Sequence, residues 1–272
     1  MFAPRRGLAL GLASAVLVVS STSAAFASGF APSAQARGVE LEITQTMLAC
    51  ITPQSCSVIG TSTQSDSESA PGFAPFTATA QVPPFTSSAD QDSSIGATRI
   101  EASGASETSG SGGLSTPPNI FTVTDSEAAS RFSTTFAVAS ATPYRLSGSV
   151  RSTGGLSANA TSAIRLKTSG GAVIAEVSAA TDPGCQDPGC AEVGPIPLIH
   201  VGVLTPGSYV LEAEASGQAA PFFFAGNFIG LTSTGHYDFV LAVTEVPALS
   251  DGALGVLTAL LGLGGVAAVR RR

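Results

Sequence analysis

The chain has 272 residues, 12 of them basic and 19 acidic, and its formal net charge is -7 at pH 7. Lys167 is the single lysine, so the sequence lacks the clustered cations that a phosphate backbone requires, and nucleic acid is excluded as a partner. With 30 glycines and 17 prolines, the chain is too rich in turn residues for a multi-span membrane protein. The mean hydropathy of +0.34 therefore predicts that apolar residues are concentrated in a few segments.

The N-terminal residues 1–27 have the pattern of a secretory signal peptide. Two arginines precede an uncharged apolar run over residues 8–19, and small residues follow at Ala25 and Ala27. A helix of that length spans about 18 Å, too short for a bilayer core of about 30 Å. We therefore expect export and cleavage after Ala27, with a second small-residue site ending at Ala36 as the alternative.

The C-terminal residues 246–272 contain a second apolar segment. Residues 252–269 carry no charge and are followed at once by Arg270, Arg271 and Arg272. A helix of this length reaches about 27 Å, which spans a bilayer with slight thinning. The pattern predicts a transmembrane helix at 253–269 with the arginines on the cytoplasmic side. A buried C-terminal helix of the exported domain is the alternative.

A short motif before this helix resembles a known family of sorting signals. Its residues are Val246, Pro247, Ala248, Leu249, Ser250 and Asp251. Together with the apolar helix and the terminal arginines, the motif resembles the bacterial PEP-CTERM signals, and most closely the IPTL-CTERM variant. The resemblance covers about the last 27 residues. It implies recognition by an exosortase-like membrane protease in the inner membrane of a Gram-negative bacterium, cleavage near Pro247, and delivery to the cell surface or an exopolysaccharide matrix.

Between the termini, apolar residues recur with a period of two, which predicts half-buried β-strands. Turn signals separate these segments, and no helical period occurs before the tail. Residues 40–244 are therefore predicted to form an antiparallel β-sandwich or jelly roll of nine or ten strands. The predicted inward-facing residues include Leu41, Ile43, Met47, Phe132, Phe136, Val138, Tyr144, Leu146, Val150, Ile199, Val201, Val203, Tyr209, Leu211, Tyr237, Phe239 and Leu241.

Two segments of the exported part lack a clear strand pattern. Residues 28–39 are expected to form a short mature N-terminal segment. Residues 103–118 are rich in serine, threonine, glycine and proline and are expected to form a flexible internal loop. A separate small N-terminal domain is the alternative to a single domain over 40–244.

Four cysteines in an exported chain indicate disulfides. The simplest pairing joins Cys50 to Cys56 and Cys185 to Cys190, each closing a short loop. A four-thiolate zinc site is the alternative, but the spacings and the oxidising compartment favour disulfides. We predict no metal and no cofactor.

No recognisable catalytic motif accompanies the titratable residues. His200 lies within a predicted strand and His236 opens another, and neither belongs to a nucleophile elbow. Glu212 and Glu214 alternate with apolar residues, which places both carboxylates on one outward face at a spacing that suits glycoside hydrolysis. No aromatic platform accompanies the pair, so a solvated strand face is the preferred interpretation.

Binding residues are equally sparse. Asp90 with Asp92, or Asp182 with Asp187, offers only two carboxylates for calcium. Phe223 is the one aromatic residue that the alternation places on an outer face. The sequence therefore favours a non-enzymatic, surface-sorted protein with a structural or adhesive role. A polysaccharide-binding module is the alternative, and a hydrolase of matrix glycans is a third hypothesis.

Overall fold

The computed structural model describes residues 29–52, 55–115, 120–155, 157–182, 192–224 and 227–243. The predicted signal peptide, the sorting motif and the C-terminal helix lie outside the described residues, as do Cys185 and Cys190. The described residues all belong to one compact unit of the chain, Ala27–Val246. Within the described ranges every regular element is a β-strand. No helix long and apolar enough to cross a membrane occurs there.

The strands alternate with short connections along the chain. Their bounds are β1 (Ala31–Thr52), β2 (Ser55–Ser69), β3 (Phe76–Gln81), β4 (Ser88–Ile95), β5 (Arg99–Ser115), β6 (Ile120–Val138), β7 (Thr142–Thr153), β8 (Ala158–Thr168), β9 (Val173–Ala180), β10 (Glu192–Leu204), β11 (Gly207–Ala219), β12 (Phe222–Phe224), β13 (Asn227–Ile229) and β14 (Leu231–Val243). The prediction of an all-β, antiparallel fold is confirmed.

Twelve of these strands form one antiparallel sheet that folds over into two layers. Layer A has the order β2-β1-β6-β11-β8-β9, and layer B has the order β10-β7-β14-β5-β4-β3. Strand β5 belongs to both layers. Its residues 99–110 pair with β14, and its residues 111–115 pair with β6. The remaining strands, β12 and β13, form a small hairpin.

The main core lies between the two layers and consists of the alternating apolar residues. Phe132 of layer A meets Phe239 of layer B edge to face, with ring centroids 5.2 Å apart. Each fully buried side chain of this size contributes about 1.5–3 kcal/mol relative to an exposed one. A second cluster packs Leu41 and Ile43 of β1 with Phe76 of β3. The predicted inward faces of β1, β6, β7, β11 and β14 are thus largely confirmed.

The predicted loop is wrong for residues 103–115, because β5 continues through them to Ser115, and residues 116–118 lie outside the described part of the chain. Gly104, Ser106 and Thr108 are buried and point between the layers. A Cβ atom on Gly104 would lie 2.3 Å from the Oγ atom of Ser130 and 2.5 Å from the ring of Tyr237. The small residues are therefore required by the narrow space between the layers and do not signal a loop.

A polar network fills this narrow part of the interior. The amide nitrogen of Gln91 donates a hydrogen bond to the hydroxyl oxygen of Tyr237, 2.8 Å away, and Ser130 lies 3.3 Å from the same hydroxyl. Burial raises the pKa of Tyr237 because the phenolate would lose its hydration, while the hydrogen bonds from Ser130 and Gln91 act in the opposite direction. The interior is thus apolar at one end and hydroxyl-rich in the middle.

Two further predictions of inward-facing residues are wrong. Met47 is 45% exposed, whereas Leu41 and Ile43 of the same strand are buried in the cluster with Phe76. Ile199, Val201 and Val203 are also exposed, as described below. Strand β1 begins at Ala31, so the expected N-terminal segment 28–39 contributes to the sheet.

The hairpin of β1 and β2 is closed by a disulfide. Cys50 and Cys56 lie opposite each other in the strand register and are bonded. This pairing is the one that the spacing predicts. Closing so short a loop restricts the unfolded chain and stabilises the end of the hairpin.

A buried arginine ties the hairpin to the rest of the fold. Arg37 is only 3% exposed, and burial lowers the pKa of its guanidinium group. No carboxylate lies in an ion pair with it among the described residues. Its nitrogens instead donate to the Gln35 side chain at 3.0 Å, the Ser93 hydroxyl at 3.0 Å, and the carbonyl oxygens of Ala74 at 2.9 Å and of Gly72.

We expect Gly104→Ala to lower the free energy of unfolding by about 1–3 kcal/mol, because the added methyl group overlaps Ser130 and Tyr237. Gly113→Ala, on the same strand, is the control, since a Cβ atom there meets nothing within 4 Å. Denaturant titration of both variants measures the difference. Equal effects would contradict the close approach of the layers at Gly104.

We expect Arg37→Met to lower the free energy of unfolding by about 2–4 kcal/mol, because several buried oxygens lose their donor. Arg151→Met is the matched control: Arg151 is half exposed and makes one ion pair with Glu192, 2.6 Å away. That surface pair is worth at most about 1 kcal/mol. Denaturant titration measures both losses. Similar losses for the two variants would contradict the role of the Arg37 hydrogen bonds in joining the hairpin to the rest of the fold.

Candidate functional site

The outer face of layer A carries a groove of about 620 Å³. It runs across strands β2, β1, β6, β11 and β8. Small residues form much of its floor, because Ala36, Gly38 and Ser133 project little side chain above the sheet. The charged side chains that line it are Glu40, Glu68, Arg131, Arg165, Glu212 and Glu214.

Charges of opposite sign alternate across the strands of this groove. Arg131 of β6 forms ion pairs with Glu40 of β1 and with Glu214 of β11, the latter at 3.1 Å. The register explains the second pair, since Arg131 lies directly opposite Glu214. Burial lowers the pKa of Arg131, but hydrogen bonds and attraction from the two carboxylates outweigh it, and the net pKa is raised. The guanidinium therefore stays charged.

The same pattern continues towards the edge of the layer. Arg165 of β8 lies 2.6 Å from Glu176 of β9, and Lys167 lies 2.7 Å from Glu212. The hydrogen bond that Arg165 donates to Glu176, with attraction from nearby carboxylates, raises the pKa of Arg165 despite its partial burial. The groove thus presents both hydrogen-bond donors and acceptors, and its net charge is small.

The structure places Glu212 and Glu214 on one face, as predicted, since the intervening Ala213 is buried. Each carboxylate, however, is engaged by a cation: Lys167 for Glu212 and Arg131 for Glu214. A glycoside hydrolase needs one of its two carboxyl groups protonated. Two carboxylates that each form an ion pair fit the solvated-face interpretation better than the hydrolytic one.

The two histidines lie apart from this groove. The Nδ1 atom of His200 lies 2.8 Å from the hydroxyl of Tyr144, and the two rings stack with centroids 5.7 Å apart. Burial raises the pKa of Tyr144, with a smaller contribution from Tyr209, and the tautomer of His200 decides which of the two groups donates the hydrogen bond. His236 is exposed on β14, which begins earlier, at Leu231. Its backbone N–H donates to the hydroxyl of Ser162 at 2.9 Å.

The acidic candidates form hydrogen bonds within layer B. Asp90 accepts from Thr79 at 2.7 Å, and Asp92 accepts from Thr77 at 3.2 Å. Across the described ranges, no group of three or more His, Cys, Asp and Glu side chains is arranged to hold a metal ion. Asp187 and the side chain of Phe223 lie outside what the structure describes.

The prediction that Ile199, Val201 and Val203 of β10 face inward is wrong. Ile199, Val201 and Val203 are 66%, 67% and 59% exposed, whereas His200 and Gly202 are turned inward and partly buried. Alternation shows which residues share a face, but it does not show which face is buried. Here the inward position is taken by the ring of His200, which packs on Tyr144.

Comparison with known proteins gives no family for the chain. No family model and no curated protein matches it. Among solved structures, the VP2 subviral particle of infectious bursal disease virus is 8% identical with a TM-score of 0.18, and the alignment covers 87% of this chain and 74% of that one. A protein from Parabacteroides distasonis is 9% identical with a TM-score of 0.14, over 78% and 75% of the two chains. Structural similarities this weak give no evidence about the fold or the function of this chain.

Proposed function

We propose that this chain is an exported protein, sorted to the cell surface or extracellular matrix, where it has a structural or adhesive role. In this proposal the signal peptide directs export, and the C-terminal helix holds the protein in the inner membrane. An exosortase-like protease then removes the tail near Pro247. The β-rich part is the sandwich or jelly-roll ectodomain that remains.

The observation that carries the proposal is the order of features in the last 27 residues. A proline-containing motif precedes an uncharged segment of transmembrane length, and three arginines end the chain. A helix packed on a soluble domain is apolar on one side only. This segment is uncharged on every side and is followed by three arginines. With the apolar N-terminal run, these features are typical of a protein that is exported, retained and then released.

The exported part supports a structural role. Its outer faces carry ion pairs between neighbouring strands, such as Arg165 with Glu176 and Arg151 with Glu192. A disulfide closes its longest hairpin, and disulfides persist in oxidising compartments. Such a domain is suited to persist outside the cell.

The test is the intact mass and the location of the full chain, expressed in a host that has the sorting machinery. We expect a product that begins near Ser28, ends near Val246 and lies outside the inner membrane. Replacing Arg270, Arg271 and Arg272 with glutamine removes the basic stop and should abolish C-terminal processing, whereas Arg145→Gln in the exported part should leave it unchanged. An intact C-terminus held in the inner membrane would show that the tail is only an anchor.

A polysaccharide-binding module is the second candidate function, and the groove of layer A favours it. Alternating cations and carboxylates supply the donors and acceptors that hydroxyl groups need. For this function we expect saturable binding on a glycan array that falls at least about tenfold in Arg165→Gln, which corresponds to roughly 1.4 kcal/mol. Arg151→Gln, on layer B, is the control. Equal binding by both variants would place any glycan site elsewhere.

A further inference from the structure

One end of layer A is built from strand segments that carry no charge. The sequence contains no Asp, Glu, Lys, Arg or His over residues 43–65 or over residues 108–124. The strand register brings these two stretches together, because Met47 lies opposite Thr122 of β6 and residues 111–115 of β5 pair with the same strand. This end therefore differs from the rest of layer A, where charges of opposite sign alternate. The uncharged tip, as we call it, consists of residues 45–50, 56–60, 111–115 and 120–123.

Apolar side chains form a continuous row across three strands on one face of the uncharged tip. Val58 of β2 lies opposite Leu48 of β1, and Leu48 lies opposite Phe121 of β6. Directly opposed residues of neighbouring strands project to the same face. Val58 is 63% exposed, and Leu48 and Phe121 are partly exposed. This face is the one that carries Glu40 further along β1, so it belongs to the outer side of layer A.

The opposite face of the uncharged tip is also apolar and open to solvent. Met47 precedes Leu48, so the alternation directs it to the other face, and its side chain is 45% exposed. Ile120 of β6 lies opposite Ala49, which places it on the same face as Met47, and it is partly exposed. Ile59, at the irregularity in the register of β2 with β1, is 52% exposed. The tip therefore presents apolar side chains to solvent on both faces.

We propose that the uncharged tip inserts into the interfacial region of a lipid bilayer. A protein partner that packs on a sheet covers one of its faces, whereas lipid acyl chains surround an element and cover both. Exposed Val58 and Met47 lie on opposite faces, so one occupant covers both only if it surrounds the tip. The tip also carries no charge that would have to leave water. A bilayer is thus the partner that fits both the exposure and the composition of the tip.

The backbone and the nearest carboxylate limit the depth of this contact. Strand β2 pairs only with β1 among the described residues, so its open edge would leave backbone groups without partners in hydrocarbon. The tip therefore reaches the boundary of headgroups and acyl chains, about 5–10 Å deep. Asp125 of β6 lies opposite Thr44, which is about 13 Å from Leu48 along β1. Its carboxylate therefore stays in water while the apolar row is covered.

The charge of the chain determines which lipids suit the tip. The formal net charge of -7 repels anionic headgroups, and the tip has no Lys or Arg to attract them. We therefore expect contact with zwitterionic phosphatidylcholine. The disulfide between Cys50 and Cys56 keeps the two outer strands of the tip together during the contact. The proposal rests on the strands of the tip and holds whether or not the C-terminal tail is processed as proposed.

The test uses the full chain, which contains no tryptophan, so a single introduced tryptophan reports on its own position. Vesicles of phosphatidylcholine brominated on the upper part of one acyl chain quench tryptophan only at that depth. We expect the fluorescence of Val58→Trp to fall at least about twofold relative to unbrominated vesicles, because the tip reaches this depth. Val173→Trp is the matched control, since Val173 is also an exposed valine, on β9. Equal quenching at the two positions, or none at residue 58, would overturn the proposal.

A second experiment separates a bilayer from a protein partner. With Ile59→Trp as the reporter in the full chain, Val58→Glu adds a carboxylate to one face of the tip and Met47→Glu adds one to the other. Each should remove most of the quenching by brominated lipid, because a bilayer covers both faces and a carboxylate opposes insertion. Val173→Glu is the control and should leave the quenching unchanged.

Two outcomes of this experiment would overturn the lipid proposal. A loss of quenching with only one of the two tip substitutions would show that the partner covers a single face. A blue shift of the Ile59→Trp emission that grows with protein concentration in the absence of lipid would show that a second copy covers the tip. Neither outcome depends on the mass of the C-terminus, so failure here is distinguishable from failure of the proposed sorting.

Discussion

The fold depends on the close approach of its two layers along β5. This strand belongs to both layers, pairing with β14 through residue 110 and with β6 beyond it. Gly104 lies against Ser130 and Tyr237 with no room for a methyl group. Small side chains here let the backbones come together, and buried hydroxyl groups such as those of Thr108 and Ser233 form hydrogen bonds in the remaining space. Larger residues would force the layers apart and would separate the apolar core from the hairpin of β1 and β2.

This packing divides the molecule into parts with different physical roles. The apolar cluster between the layers provides most of the burial, whereas Arg37 holds the region around Ala74 against β1 through hydrogen bonds without a counter-charge. The outer face of layer A is neutralised locally by pairs such as Lys167 with Glu212. Apolar side chains are exposed on two of the edge strands, at Val58 and Ile59 of β2 and at Ile199, Val201 and Val203 of β10.

Alternation alone predicts the antiparallel all-β class and most of the core, because Phe132, Leu211 and Phe239 each lie in a segment where apolar residues recur with a period of two. The Cys50 to Cys56 disulfide also follows from spacing. The strand at 103–115 could not be predicted, because serine and glycine in an unmatched segment resemble a loop unless the partner strands are known. The exposed face of β10 is missed for a related reason: nothing in the local sequence shows that His200 has an aromatic partner on β7. The ion pairs of layer A depend on register, which the sequence of one strand does not contain.

The most direct test of this account is amide hydrogen exchange over residues 103–110. If β5 is a central strand held between β14 and β4, these amides should exchange as slowly as those of Phe239 and Leu241 on the neighbouring strand. Exchange at the rate of an unstructured peptide would mean that the segment is a loop. The two layers would then lack the strand that joins them.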